Sequence, residues 1–261
     1  MSSDKYTLNS GFKKYINVIY ECFADILCPK KCIMCDKMID IGTKVSICKK
    51  CRAEISSSGR VIGDSETTYK EAVASVVYDG NVRNAMMRYK FNGMKYLHST
   101  FSWLILEKIK NRKFMECIDV ICPVPIHPMR NREYNQSALI ARDISEFFEI
   151  PLIEDLILKI RHIKPLSTMS FRQRRIFIRD SMTFNTDYDI TGKTVLLVDD
   201  TMTTGATLFE CSRILKLYGA ADVYAAAACY VKKDENDEKD DEEMANDGGL
   251  ISYADADKLT D

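Results

Sequence analysis

Val195-Leu-Leu-Val-Asp-Asp-Thr-Met-Thr-Thr-Gly-Ala-Thr207 is the stretch on which the fold turns. Residues 194–198 read as a buried strand, because a short unbroken apolar run suits a sheet covered on both faces. Two carboxylates, Asp199 and Asp200, stand at its end. A small turn rich in hydroxyls follows (Thr201, Met202, Thr203, Thr204, Gly205, Ala206, Thr207), then a helical pattern over 207–218 that Gly219 stops. Such a turn aims free backbone N–H groups and the positive end of the helix dipole at one point, which suits a phosphate. The threonine hydroxyls add donors, and Gly205 permits a close backbone approach. Asp199 and Asp200 stand where ribose hydroxyls need acceptors, so the segment predicts a cradle for a phosphorylated sugar. It is no Walker loop, since no Gly-Lys-Ser/Thr follows the turn, and it lacks the GxGxxG dinucleotide pattern. An acidic helix cap alone explains neither the paired carboxylates nor the threonines.

The surroundings support an α/β domain. Residues 71–78 and 221–231 read as strands, as does 117–125, which ends in Pro-Val-Pro. Helical periodicity covers 82–91, 100–110 and 136–148. Alternating strands and helices predict a parallel sheet with helices on both faces, and ligands of such sheets bind at the carboxyl edge. A short amphipathic helix is expected over 11–27, and Ser56-Ser57-Ser58-Gly59 reads as a hinge. The domains are therefore drawn as 1–58, 59–233 and 234–261.

Six of the ten cysteines lie between Cys22 and Cys51. Cys32-Ile-Met-Cys35 and Cys48-Lys-Lys-Cys51 form two CxxC knuckles, and four thiolates complete a tetrahedral shell for zinc. With all four positions filled by protein, such an ion is structural. Redox-active thiols are the alternative reading, and Cys28 is an additional candidate ligand. The scattered Cys117, Cys122, Cys211 and Cys229 are expected to be small buried hydrophobes.

The net charge of −1 is unevenly spread. Residues 234–261 carry twelve acidic side chains and two lysines, net −10, which leaves +9 on residues 1–233. A basic body suits an anionic ligand, whether a phosphorylated small molecule or a nucleic acid. The acidic end reads as a solvated, disordered tail. No apolar run reaches the roughly 18 residues of a membrane span, and the N-terminus lacks a secretory pattern, so a cytoplasmic chain without membrane insertion is expected.

Two further stretches complete the pattern: Val82-Arg-Asn-Ala-Met-Met-Arg-Tyr-Lys90-Phe-Asn-Gly93 and Cys122-Pro-Val-Pro-Ile-His-Pro-Met-Arg-Asn-Arg-Glu-Tyr-Asn-Gln136. With residues 195–207 and the four-cysteine module they resemble the ComF family (competence protein F), whose main domain is a type I phosphoribosyltransferase. The resemblance covers about residues 20–231. It departs where the family often has Arg-Gly-Phe/Tyr-Asn-Gln and this chain has Arg132-Glu133-Tyr134-Asn135-Gln136.

The resemblance implies that phosphoribosyl pyrophosphate (PRPP) binds with Mg²⁺, which rides on the substrate. Asp199 and Asp200 hold the ribose, residues 201–207 the 5′-phosphate, and Arg130, Arg132 and Lys90 the diphosphate. The alternative for Arg130 and Arg132 is solvated loop arginines. The basic stretch over 161–179 corresponds to a loop that closes over substrate, or to a surface for single-stranded DNA. Catalysis would rest on positioning and charge stabilisation at Asp199 and Asp200, with no general base named. Three functions stay open: a phosphoribosyltransferase, a DNA-uptake factor that grips single strands or a competence-machinery protein, and a PRPP-responsive regulator without turnover.

Overall fold

A computed structural model describes residues 30–40, 43–55, 60–62, 68–126, 133–160, 178 and 181–232, with backbone alone for 60–62. The helix over 11–27, Cys28, the hinge at 56–59, Arg130, Arg132, the basic stretch apart from Ile178, and the acidic tail lie outside these residues.

The chain runs through α1 (Lys49–Ile55), β1 (Arg60–Ile62), β2 (Glu71–Val77), α2 (Gly80–Phe91) and α3 (His98–Ile109). It continues through β3 (Val120–Pro123), α4 (Gln136–Phe148), β4 (Ile157–Lys159), β5 (Met182–Phe184), β6 (Thr194–Met202), α5 (Ala206–Leu217) and β7 (Asp222–Tyr230). The main sheet has the order β1-β2-β7-β6-β3, parallel except for β1 at one edge.

Pleating divides the central strands between two cores. Leu196 and Val198 of β6, with Ala226 and Ala228 of β7, face Met86, Tyr89, Phe101, Leu104 and Ile140 of α2, α3 and α4. Val195 and Leu197, with Ala225 and Ala227, face Leu208, Cys211 and Ile214 of α5. Helices therefore cover both faces, which is why β6 is apolar without alternation. The alanines of β7 are poor strand formers, but their small side chains let both helical layers approach the sheet centre.

The cysteine module packs on the first of these cores. Cys32, Ile33, Ile47, Cys51 and Ile55 share one apolar cluster with Phe101 and Leu104. The Ser46 N–H donates to Thr100 Oγ1 at 2.9 Å, and Asn81 Nδ2 donates to the Met34 carbonyl at 3.2 Å.

Three features depart from the sequence reading. β6 continues past residue 198 to Met202, because its charged residues find partners and the ladder persists through Thr201↔Cys229 and Met202↔Tyr230. β4 and β5, three residues each, pair antiparallel, and no periodicity announces strands so short. Cys122, Cys211 and Cys229 are buried as expected, but Cys117 is exposed, its thiol donating to the Phe114 carbonyl at 3.0 Å. Among the described residues, no helix is long and apolar enough to cross a membrane.

Candidate functional site at the carboxyl edge of the sheet

The carboxyl end of β6 carries Asp199 and Asp200, whose environments differ. Asp199 is half-buried and accepts from Ser137 Oγ at 3.2 Å and from the Asp200 N–H at 2.8 Å. Burial first, and the Asp200 charge second, push its carboxyl up to about 7. Asp200 is buried, and its Oδ1 lies 2.5 Å from Lys90 Nζ. The same ammonium donates to Thr201 Oγ1 at 3.3 Å. Residues 110 positions apart thus meet in one cluster of two carboxylates and one ammonium.

The turn beyond is built for close approach. Met202 and Ala206 are buried, Thr203 is exposed, and Thr204 and Thr207 are half-buried. Thr204 Oγ1 accepts from the Ala206 N–H at 3.2 Å. Gly205 is the N-cap of α5 at φ 75°, where L side chains are strained, and it brings no side-chain acceptor to the first turn. Asn135, by contrast, caps α4 through its own Oδ1, which accepts from the Ser137 and Ala138 N–H groups. Thr204 takes the Ala206 N–H and the Gly205 cap brings no acceptor of its own, so the next N–H groups of the first turn of α5 face the edge, as an anion site requires.

Lys90 is placed by a second set of contacts. Tyr89, fully buried in the last turn of α2, donates to the Gln136 carbonyl at 2.8 Å. Gln136 Nε2 donates back to the Lys90 carbonyl at 3.4 Å, and Tyr134 donates its hydroxyl to the Tyr89 carbonyl. Asn135 Nδ2 reaches the Val124 carbonyl at 3.1 Å, so the residues on either side of 127–132 are joined.

The expected residues Asp199, Asp200, Thr201 and Lys90 come together directly, and residues 202–207 follow on the same edge. Ser137 and Tyr89 belong to the cluster without having been singled out. The signal for Ser137 was its place just inside the Asn135 cap, which fixes the start of α4 beside the strand end.

The second constellation is the four-cysteine cluster. The Sγ atoms of Cys32, Cys35, Cys48 and Cys51 all lie within 4.8 Å of one another, with Cys35 and Cys48 3.7 Å apart. A tetrahedral zinc with bonds near 2.3 Å separates its sulfurs by roughly 3.8 Å, so the residues fit that ion. The Cys48 N–H donates to Cys32 Sγ at 3.4 Å. Backbone hydrogen bonding at Cys51 leads the causes that draw the Cys48 thiol down to about 7, whereas burial pushes the Cys32 and Cys51 thiols up. Asp36, at φ 59°, turns the first knuckle, and its N–H donates to the Cys32 carbonyl at 2.9 Å.

A cleft of about 210 Å³ lies between this module and α2, with Lys30, Lys31, Asn81, Arg88 and Tyr96 along its walls. Lys30 Nζ stands 5.8 Å from the Tyr96 ring centroid, and Lys31 pairs with Asp36 at 3.1 Å.

The family model of the phosphoribosyl transferase domain matches residues 136–254, which contain Ser137 and the whole β6–α5 turn. Competence protein F of Haemophilus influenzae is 24% identical over 201 residues, 74% of this chain and 86% of that protein. Competence protein ComFC of Streptococcus pneumoniae is 27% identical over 195 residues, 74% of this chain and 78% of that protein. DNA utilization protein YhgH of Escherichia coli O157:H7 is 27% identical over 145 residues, 54% of this chain and 63% of that protein.

Proposed function

The chain belongs to the ComF family, and from that premise we propose that its β6–α5 edge binds PRPP with Mg²⁺ in the service of DNA uptake. One observation carries the reading. Two carboxylates lie in the carboxyl-terminal part of β6, a few residues before a turn whose helix has a glycine for its N-cap. Asp199 accepts from a ribose hydroxyl once ionised, and Asp200 lies beside it. The hydroxyls of Thr203, Thr204 and Thr207, with the first N–H groups of α5, hold the 5′-phosphate. Arg130 and Arg132, outside the described residues, are assigned to the diphosphate, where guanidinium forks match phosphate oxygens. Mg²⁺ bound to the diphosphate neutralises charge on the leaving group. The protein's own share is to position the ribosyl carbon and to surround it with fixed charges.

In the same reading the cysteine cluster holds a structural zinc. Its four thiols fill a tetrahedral shell, so the ion holds the two knuckles against the α3 core and leaves no position for substrate.

Calorimetric titration of PRPP with Mg²⁺ tests the site, using wild type beside Asp199→Asn. Saturable binding in wild type, weakened at least tenfold in the variant, is expected. Release of pyrophosphate with a nucleobase or amine acceptor would then establish transfer. A folded wild type that binds no PRPP rejects the reading.

A second reading is favoured by the cleft beside the cysteine module. Basic side chains and Tyr96 line it, a combination that suits a phosphodiester with a stacked base. In that reading the chain also grips single-stranded DNA there. Salt-sensitive binding of an oligonucleotide, weakened by Arg88→Ala and Tyr96→Ala together, is the expected result.

A further inference from the structure

We propose that the acidic segment 234–243 docks in the basic cleft between the cysteine module and α2 of its own chain, where it holds the place of an external polyanion. The docking rests on neither functional reading; its effect on nucleic acid rests on the second.

Positive charge is gathered in the two elements that form the cleft. Residues 30–55 carry seven cations against three carboxylates, and residues 80–98 carry four cations and no carboxylate. A zinc held by four thiolates adds two negative charges there, and the balance stays positive. Lys31 pairs with Asp36 and Lys95 with Glu133, while Arg83 and Arg88 on α2, and Lys37 and Lys44 on the module, are exposed. The complement lies in the same chain. Eight of the ten residues 234–243 are acidic, and Lys239 is the one cation among them.

The fold delivers that segment to the cleft. β7 ends at Tyr230, whose carbonyl accepts from the Tyr78 N–H at 2.7 Å. Asp79 then leads into α2, and Asn81 in its first turn donates to the Met34 carbonyl of the module. Asn81 also lines the cleft, with Ala85 and Arg88 further along the helix. Lys232 therefore stands a few residues from the Asn81 end of the cleft. The twelve residues of α2 are about 18 Å long, and ten residues reach at most roughly 35 Å when extended. The segment can run the whole length of the helix. So short a tether sets an effective concentration of roughly millimolar, which keeps even weak charge contacts occupied.

A second surface lies within reach, because the Val231 N–H donates to the Met202 carbonyl at 3.0 Å, beside the carboxyl edge. The described charges of that edge are Asp199, Asp200 and Lys90, and Lys90 is already bound to Asp200. Once Asp199 is ionised the edge repels an acidic segment, whereas the cleft attracts one.

Carbodiimide coupling of the full chain tests the docking, since it joins a carboxylate to an amine only where they touch. At low salt, peptide mapping by mass spectrometry is expected to find residues 234–243 bridged mainly to Lys30, Lys31 and Lys37. The yield should fall at least about fivefold at about 0.5 M salt, where charges are screened within a few ångströms. Lys30→Glu with Arg88→Glu should remove most bridges to Lys31 and Lys37. Lys113→Glu with Lys193→Glu, an equal change of charge ahead of β3 and β6, should leave them. Bridges spread evenly over the surface lysines, or formed chiefly between ¹⁵N-labelled and unlabelled chains, overturn the docking.

Oligothymidylate binding measures the consequence. A full-length variant with all eight acidic residues of 234–243 changed to their amides is expected to bind about tenfold or more tightly than wild type at low salt. Excess oligonucleotide should also lower the bridge yield in wild type. Equal affinity of the two chains overturns the competing role. If neither chain binds, the second reading fails and the bridges alone decide the docking.

Discussion

The hydroxyl of Tyr89 donates to the carbonyl of Gln136 at 2.8 Å, joining the end of α2 to the start of α4 inside a fully buried environment. Burial pushes the Tyr89 phenol far above its ordinary range, so it is a donor throughout the accessible pH range. Tyr89→Phe removes one buried hydrogen bond while keeping the ring against Phe101, whose centroid is 5.3 Å away. A loss of about 1 kcal/mol in urea-induced unfolding is expected, because the Gln136 carbonyl then loses its phenolic partner. PRPP affinity should fall with it, since the same joint sets Lys90. A variant with unchanged stability would show that the joint is already satisfied by other contacts.

Asp199 predicts a pH signature. Its folded carboxyl titrates at about 7, whereas the unfolded chain releases that proton near 3.8. Between those values the folded state holds more protons, so this group's effect on stability worsens as pH rises and is fully adverse above about 7. Asp199→Asn mimics the protonated acid. Discounted for partial exposure, the variant should exceed wild type by about 1 kcal/mol at pH 8 and converge with it at pH 4. Denaturant unfolding at both pH values checks this, and a variant less stable at pH 8 would contradict it.

Part of this architecture could be read directly from the residues, and part could not. The helix over Gln136–Phe148 was readable to its ends, because Asn135 is a strong cap and the apolar period inside is regular. The β6–α5 turn was equally legible, since its chemistry is local. β6 seemed to stop at residue 198 because paired carboxylates oppose a buried strand unless something answers them. What answers Asp200 is Lys90, and a contact across 110 positions leaves no local trace. The pairing of β4 with β5 was hidden for a different reason, as three residues are too few to show a period.

Gly205 isolates backbone strain from steric fit. A Cβ placed there would stand 3.5 Å from the Tyr69 hydroxyl, an ordinary contact, so the penalty comes from φ 75°. Gly205→Ala should lower stability by about 1 kcal/mol. It should also weaken PRPP, because relaxing that angle turns the first N–H groups of α5 away. A loss above about 3 kcal/mol by chemical denaturation would mean that the side chain clashes after all.

The four thiols predict close to one zinc per chain by elemental analysis. Cys35→Ser removes an exposed ligand without opening a cavity, and should lose most of the metal. Because Cys32 and Cys51 share the α3 core, metal loss should depress unfolding of the whole domain, by about 2–4 °C for each kcal/mol lost. Separate transitions for module and domain would refute that coupling.

The short ladder of β4 and β5 pairs Lys159 with Met182, and the Ile160 N–H donates to the Ser181 carbonyl at 2.9 Å. The two ends of the intervening basic stretch are thus clasped at their base, independent of what lies between. Chain closure is already achieved there, so altering the length of that stretch changes the closure entropy only slowly, by about 0.6 kcal/mol per doubling. The clasp makes the stretch an exchangeable cassette: insertions and deletions between its two ends leave the scaffold beneath in register.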